Sequence, residues 1–291
     1  ATDIFLIGNF SEWKENTKYR FSKLKNGVWE LKLKTGEIKH LDLYKLSMHW
    51  NGGHGERIPA WATRVVQDEK TYIFSAQVWK PSIPYKFKKK KFKPQISPLL
   101  IYECHIGMAQ EEERIGNYNE FREKILPRIA KDGYNAIQIM AIQEHPYYGS
   151  FGYHVSSFFA PSSRFGTPDE LKQLIDEAHA LGIAVIMDIV HSHAVKNEVE
   201  GLGRFDGSYN QFFYGDHRRE HPAWDSLCFD YGKNEVIHFL LSNCKYWLEE
   251  FKFDGFRFDG VTSMLYYDHG LGKAFGSYND YYDGGQDENA I

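Results

Sequence analysis

Arg257 and Asp259 stand two residues apart in the run Phe253-Asp254-Gly255-Phe256-Arg257-Phe258-Asp259-Gly260. Side chains at i and i+2 of a β-strand share a face, so a strand here sets the guanidinium beside the carboxylate. Charge-assisted hydrogen bonds from the arginine keep that carboxylate ionised and aimed. An ionised, oriented carboxylate is the attacking group of retaining glycoside chemistry. A structural ion pair would show the same spacing, so the pair alone leaves both readings open. A second acid, Asp188, opens Asp188-Ile189-Val190-His191-Ser192-His193. Aromatic residues reach 16% of the chain, with 21 Phe, 19 Tyr and 7 Trp. Such rings can stack on the C–H faces of sugars, although a large aromatic core would account for the same composition.

Elements must position these groups. From Leu99 the chain alternates strand and helix. Apolar runs at Leu99–Glu103, Ala136–Met140, Ala184–Met187 and Gly255–Asp259 read as four strands. Helices are expected near Phe121–Lys131, from Pro168 to Leu181, and from Asn234 onward. Thr167 caps the second of these, with Pro168 at its first position and Glu170 completing a capping box; Gly182 ends it. Repeated strand–helix units mean a parallel sheet. The turn after the first strand, Cys104-His105-Ile106-Gly107-Met108, lacks the glycine fingerprint of a nucleotide-binding sheet. The third and fourth strands instead bring Asp188 and Asp259 to their C-terminal ends, where a (β/α)₈ barrel builds its active site. A barrel needs eight strands, so residues 99–291 are expected to be its N-terminal part, truncated after about four strands. Asp268, Asp280, Asp283, Asp287 and Glu288 read as loop residues, and the last five residues as the start of a helix.

Residues 1–80 read differently. Short runs such as Ile4–Ile7, Gly27–Leu33 and Thr71–Phe74 lie between Gly, Asn and Asp clusters, and Trp29, Leu31 and Leu33 alternate with charged residues. This predicts a small β-sandwich. Residues 81–98 hold four prolines and a lysine run, and read as a solvated linker. The net charge of −4 gives no basic excess for nucleic acid or an anionic membrane. No apolar run approaches the roughly 18 residues of a membrane helix. Three scattered cysteines without C-x-x-C spacing fit reduced thiols and a cytoplasmic location better than disulfides or zinc.

The stretches EHPYYGSFGY, DIVHSHA and FDGFRFDGVTSML, in this order and at these strand ends, resemble the α-amylase superfamily, and within it the glycogen and starch branching enzymes. IFLIGNFSEW through WATRVV resembles the β-sandwich starch-binding module that precedes the barrel in that family. The resemblance implies an α-glucan substrate, no cofactor, and transfer of an α-1,4-linked chain to a 6-hydroxyl. It makes Asp259 the nucleophile and Arg257 its hydrogen-bonding partner. Asp188 would position the arginine and the sugar, His193 would bind a sugar hydroxyl, and Tyr153 would be the platform beneath the same ring. His105 and Tyr147 lie on loops expected at the mouth, where more distant sugars could be touched. Trp13 is the candidate glucan contact of the module, whereas Trp29 is expected to be buried. Many amylases place Asn before the histidine and use it for calcium; Ser192 stands there, so no structural metal is expected. The family's general acid, a Glu after the fifth strand, is expected beyond Ile291, which would leave residues 1–291 inactive alone. A glucan hydrolase and a non-catalytic glucan-binding protein are the competing readings. The sequence leaves the oligomeric state open.

Overall fold

Strand β1 (Asp3–Gly8) pairs antiparallel along its whole length with β2 (Leu43–Trp50), from Asp3 opposite His49 to Gly8 opposite Tyr44. The structure is a computed structural model that describes residues 1–89, 91–94, 98–282 and 284–291. Lys90 and Gln95–Ser97 of the expected linker, and Asp283 among the expected loop residues, lie outside the described residues. The far edge of β2 is shared by β3 (Gly53–Arg57) and β5 (Phe74–Gln77), and β5 pairs on with β4 (Val65–Gln67). A separate ribbon joins Ser22–Lys23 to Trp29–Glu30. The expected strand over Gly27–Leu33 thus shrinks to two paired residues, and Trp29 is half-buried rather than fully so. The last strand starts at Phe74, not Thr71, because the Asp68 carboxylate accepts hydrogen bonds from the Lys70 and Thr71 amides and folds that stretch into a turn.

The sheet shares its core with the rest of the chain. Ile4 and Met48 belong to one apolar cluster with Phe158, Phe205, Phe212 and Phe213. Arg57, 2% exposed, donates to the carbonyls of Phe205 and Arg204, and Arg64 donates to the Gly166 carbonyl. The connector is not free in solvent either. Asp176, itself buried, accepts from the Tyr85 hydroxyl and from the Lys88 and Lys89 amides, and Phe92 stacks on His179 at 4.2 Å. Among the described residues Lys86, Lys88, Lys89, Lys91 and Lys93 are exposed while Tyr85, Phe87 and Phe92 anchor it.

A four-stranded sheet follows, made of β6 (Ile101–Cys104), β7 (Ala136–Ile139), β8 (Ala184–Val190) and β9 (Gly255–Asp259). All pairs are parallel and the strands lie side by side in chain order. An unbroken sequential order is that of a barrel wall; a doubly wound sheet reverses at a switch point. The helices confirm it. A helical stretch from Tyr118 through a π-turn (Phe121–Ile125) into α1 (Leu126–Lys131), then α2 (Pro168–Ala180), then α3 (Asn234–Tyr246) with its own π-turn (Trp247–Phe251), follow the first three strands. Phe121, Leu126, Leu171, Leu174, Trp247 and Phe251 all join Ile137, Ile139, Val185 and Met187 in one cluster. The helices therefore cover a single face of the sheet. The expected α2 cap is present: Thr167 Oγ1 accepts from the Glu170 amide at 3.3 Å, and the Glu170 carboxylate accepts from the Thr167 amide at 2.6 Å. The last residues form a turn at 288–290 rather than a helix.

The register fixes what lies on the opposite face. Asp188 is level with Arg257, Val190 with Asp259, and Glu103 with Gln138. By alternation Glu103, Gln138, Asp188, Arg257 and Asp259 share the concave side, away from the helices. That side carries carboxylates, a guanidinium and an amide beside Ile186 and Val190, whereas Val185, Met187 and Ile189 face the helices.

Candidate active site

Asp188 lies within β8 and is fully buried (0% exposed), so each of its oxygens needs a donor. The adjacent strand supplies one: Arg257 Nη1 donates to Asp188 Oδ1 at 2.8 Å. The loop after β7 supplies another, the Tyr153 hydroxyl, which donates to Asp188 Oδ2 at 2.7 Å. Burial pushes the Asp188 carboxyl above the ordinary carboxylate range, against the pull of these two donors. The same Nη1 donates to Asp259 Oδ1 at 2.6 Å. The guanidinium therefore bridges both acids, and the bond to Asp188, first of all, strengthens its hold on its proton. The two acids differ in what they leave free. Asp188 has both oxygens occupied. Asp259, at the strand end with its side chain 21% exposed, is bonded through Oδ1 and keeps Oδ2 for chemistry.

Two glycines make this geometry possible. Gly152, before Tyr153, has φ +93°, and a Cβ there would sit 1.8 Å from the Ala141 carbonyl oxygen. Gly260, after Asp259, has φ +65°, and a Cβ there would sit 2.6 Å from Ser192 Oγ. Both turns need a left-handed backbone with no side chain.

His193 is brought against Tyr153, but its ring is already engaged. Nε2 lies 2.8 Å from the Tyr153 carbonyl, which can only accept, so Nε2 carries the proton. Nδ1 then accepts from the Ser192 hydroxyl at 2.8 Å. Burial pushes this imidazole down to about 4 and keeps it neutral. In this arrangement neither nitrogen is left for a sugar hydroxyl. Here His193 braces the Tyr153 backbone, and Ser192, the residue before it, sets its tautomer.

The other expected residues are dispersed. His105 is enclosed by Tyr148, Phe151 and Phe165, 8% exposed, with its ring pushed down to about 4 by burial. It is a wall of the loop rather than part of an open mouth. Tyr147 stands on that loop's outer lip, 66% exposed. Trp13 lies in the turn after β1, where it borders a cavity of about 780 Å³ that Lys45, Glu56 and Gln67 also line. The Lys45 ammonium lies 5.8 Å above its ring.

A buried polar network beneath the site escaped the sequence. The Phe158 carbonyl accepts from Gln143 Nε2, Asn243 Nδ2 and Trp247 Nε1 at 2.9, 2.8 and 3.2 Å. Asn243 Oδ1 accepts from His191 Nε2 at 3.0 Å, and Gln143 Oε1 accepts from the Val190 amide at 3.3 Å. The network ties β8, α3 and the Tyr153 loop together. Asn243 alone carried a signal: it falls at helical spacing on the apolar face of Val236, Phe239, Leu240 and Trp247, and a polar residue on such a face needs a buried partner.

Of the acids after β9, Asp287 is buried and accepts from the Tyr214 hydroxyl, while Asp268 and Asp280 cap turns. None of these three hydrogen-bonds to the Arg257 group. No group of His, Cys, Asp and Glu suited to hold a metal occurs among the described residues.

Comparison with known proteins places this arrangement. The alpha amylase catalytic domain matches residues 109–228, and carbohydrate-binding module 48, the isoamylase N-terminal domain, matches residues 1–62. The chain is 49% identical to a 1,4-alpha-glucan-branching enzyme of Yarrowia lipolytica, over 97% of this chain and 42% of that protein. It is 46% identical to the one of Felis catus, over 100% of this chain and 42% of the relative. The chain thus spans about two fifths of the length of the curated relatives it matches. Among solved structures, a GBS pullulanase in complex with maltotetraose superposes with a TM-score of 0.73 at 21% identity, over 90% of this chain and 39% of that one. The catalytic module of a pneumococcal glycogen-degrading virulence factor gives 0.73 at 17% identity, over 89% and 43%. The two solved structures share the fold of the module and the barrel wall, and the curated relatives share nearly half of the residues: the chain belongs to the α-amylase superfamily and, within it, to the family of 1,4-alpha-glucan-branching enzymes.

Proposed function

We propose that the protein containing this chain cleaves an α-1,4 bond of an α-glucan and transfers the released chain to a 6-hydroxyl of another glucan, with Asp259 as nucleophile. The observation that carries the reading is the shared guanidinium: one Arg257 nitrogen holds a fully occupied buried acid and a strand-end acid with one oxygen free. Asp259 Oδ2 attacks the anomeric carbon, and the C–O bond to the leaving sugar breaks as the ester forms. The leaving oxygen takes a proton from an acid. Asp188 is unsuited to that task, since both its oxygens are held inside the strand. As the family resemblance implies, we take that acid to be a residue outside these 291, which would leave the chain inactive alone. In the second half-reaction the acceptor 6-hydroxyl gives its proton back to that acid and displaces the ester. Tyr153 supports the sugar ring over Asp188, and Arg257 holds the Asp259 carboxylate in place for attack through its bond to Oδ1. Trp13 and the cavity beside it hold another part of the glucan, as the likeness of residues 1–62 to a carbohydrate-binding module suggests. We place the protein in the cytoplasm; no helix among the described residues is long and apolar enough to cross a membrane.

The test is an assay on amylose that follows α-1,6 anomeric protons by NMR and reducing ends by colorimetry. The active protein is expected to form α-1,6 linkages without new reducing ends, and Asp259→Asn is expected to lose roughly a thousandfold or more of that rate. Reducing ends alone would make the protein a hydrolase. An unaffected Asp259→Asn variant would remove the nucleophile from the scheme.

A further inference from the structure

The connector sorts its side chains by kind. Tyr85, Phe87 and Phe92 are partly buried, while Lys86, Lys88, Lys89, Lys91 and Lys93 are exposed. None of these five ammonium groups pairs with an acid among the described residues. A lysine run left to solvent relieves its self-repulsion by moving. This one is pinned. The buried Asp176 carboxylate accepts from the Lys88 and Lys89 amides at 2.7 and 2.9 Å, and from the Tyr85 hydroxyl at 2.7 Å. Phe87 packs against the core under the helices, and Phe92 stacks on His179. The fold therefore holds like charges at fixed places. Two of them meet a third cation: Lys88 and Lys89 line a cavity of about 440 Å³ together with Arg122, which comes from the π-turn before α1. Arg122 Nη2 is held by Glu123 and Asn119 at 2.6 and 3.4 Å, whereas Nη1 has no acceptor among the described residues. Two acids also line the cavity. Asp176 has both oxygens taken by the donors named above, and the Glu177 and Gln173 side chains make no hydrogen bond or ion pair among the described residues. Arg122, Gln173 and Glu177 stand on the helices, so the cavity lies across the sheet from Arg257 and Asp259.

We propose that this cavity is a binding site for a sugar phosphate, with the phosphate on Lys88, Lys89 and Arg122 and the sugar hydroxyls on Gln173 and Glu177. The chemistry selects the ligand. A phosphate monoester carries a charge of about −1.5 to −2 near neutral pH and has three acceptor oxygens, one for each cation. The lysines supply point charges and the guanidinium supplies direction. A free amide and a free carboxylate suit neighbouring hydroxyls, which a bare inorganic anion lacks. Phe87 and Phe92 are spent on the protein, so neither is left to stack a nucleic-acid base. Ala180 is the one aliphatic side chain in the wall, too little for a docked protein helix. The volume falls at the small end of ligand pockets, about 300–1,000 Å³. Such an ester comes either as a free hexose phosphate or as a phosphate borne by a glucan chain, and the experiment separates the two sources.

The test is isothermal titration of the whole protein that contains this chain. Glucose 6-phosphate and maltoheptaose bearing one 6-phosphate are the probes; glucose, plain maltoheptaose and inorganic phosphate are their controls. At least one ester is expected to bind roughly tenfold or more tightly than its unphosphorylated control. Lys88→Gln/Lys89→Gln keeps the two amides that hold Asp176, so its melting temperature is not expected to fall, while ester binding is expected to weaken roughly tenfold. Arg122→Lys, which keeps the charge and loses the fork, is the second variant, with an expected loss of roughly threefold. Binding of glucose 6-phosphate, of the phosphorylated chain, or of both supports the site and names its source. Esters bound no better than their unphosphorylated controls would overturn it. Inorganic phosphate bound as tightly as either ester would remove the sugar, and the proposal with it. Ester binding left at full strength in both variants would place the ligand elsewhere. None of these outcomes bears on Asp259, which is tested by the amylose assay.

Discussion

At Asp188, stability and activity ask for different side chains. The carboxylate is buried, burial pushes its pKa up, and only Arg257 and Tyr153 hold it charged. A buried charge held this way is poor support for the fold and useful for keeping a guanidinium aimed. Asp188→Asn keeps the shape and one acceptor while removing the charge. Its unfolding free energy is expected within about 1 kcal/mol of the parent's, while transfer activity falls at least roughly a hundredfold. Tyr153→Phe makes the complementary cut. It keeps the ring and deletes the hydroxyl donor, so the expected loss is about tenfold, with the fold intact. Should Tyr153→Phe be as inactive as Tyr153→Ala, the hydroxyl rather than the ring face would be the working part of that residue. Assaying the three variants alongside urea unfolding separates these outcomes.

Among the elements, most of what positions the site was legible. Gly255–Asp259 was read with its observed bounds, and the Thr167–Glu170 capping box marked the start of α2 to the residue. Both are local signals: alternation along a strand and a cap of four residues. What escaped was non-local. Nothing within DIVHSHA shows that His193 would spend both nitrogens on Tyr153 and Ser192, because Tyr153 arrives from a loop 40 residues earlier. The connector's lysine run reads as solvated because the charges are local, whereas the Asp176 that fastens it is 87 or more residues away. The Phe158 carbonyl network belongs to the same class, and it yields a prediction. Asn243→Leu preserves volume but strips His191 Nε2 of its acceptor and the Phe158 carbonyl of a donor. Each buried group left unpaired costs about 1–3 kcal/mol. The Phe158 carbonyl keeps Gln143 and Trp247 as donors, so His191 Nε2 is the group left unpaired, and the variant is expected to lose about 1–3 kcal/mol in urea unfolding, and to lose activity with it, since His191 leads into His193. A loss below about 1 kcal/mol would show that the network is not what fastens α3 to the site.

For the whole molecule, the histidines set an acid limit. His105, His145, His191, His193 and His221 are all buried, and burial pushes each ring down to about 4. An unfolded histidine binds its proton near 6.5. Between those values the unfolded chain takes up protons that the native state refuses, so stability rises with pH across the window and is lost as pH falls from about 6.5 towards 4. Each such ring contributes up to about 1.4 kcal/mol per pH unit inside the window. Two buried acids work the other way. Burial raises the carboxyls of Asp188 and Glu144, so the native state holds their protons more tightly than the unfolded chain, and acid favours it. Five rings outweigh two acids. Marginal stabilities of 5–15 kcal/mol cannot absorb several kcal/mol per pH unit for long. The melting temperature is expected to be level above about pH 7 and to fall steeply between pH 6 and 5. His191→Gln tests the cause rather than the slope alone. Its amide can still donate to Asn243 Oδ1, but it cannot take a proton, so the acid-side dependence should flatten by about one proton's worth while the neutral-pH value barely moves. If the slope is unchanged, the carboxylates govern the acid limit, and the buried rings are bystanders.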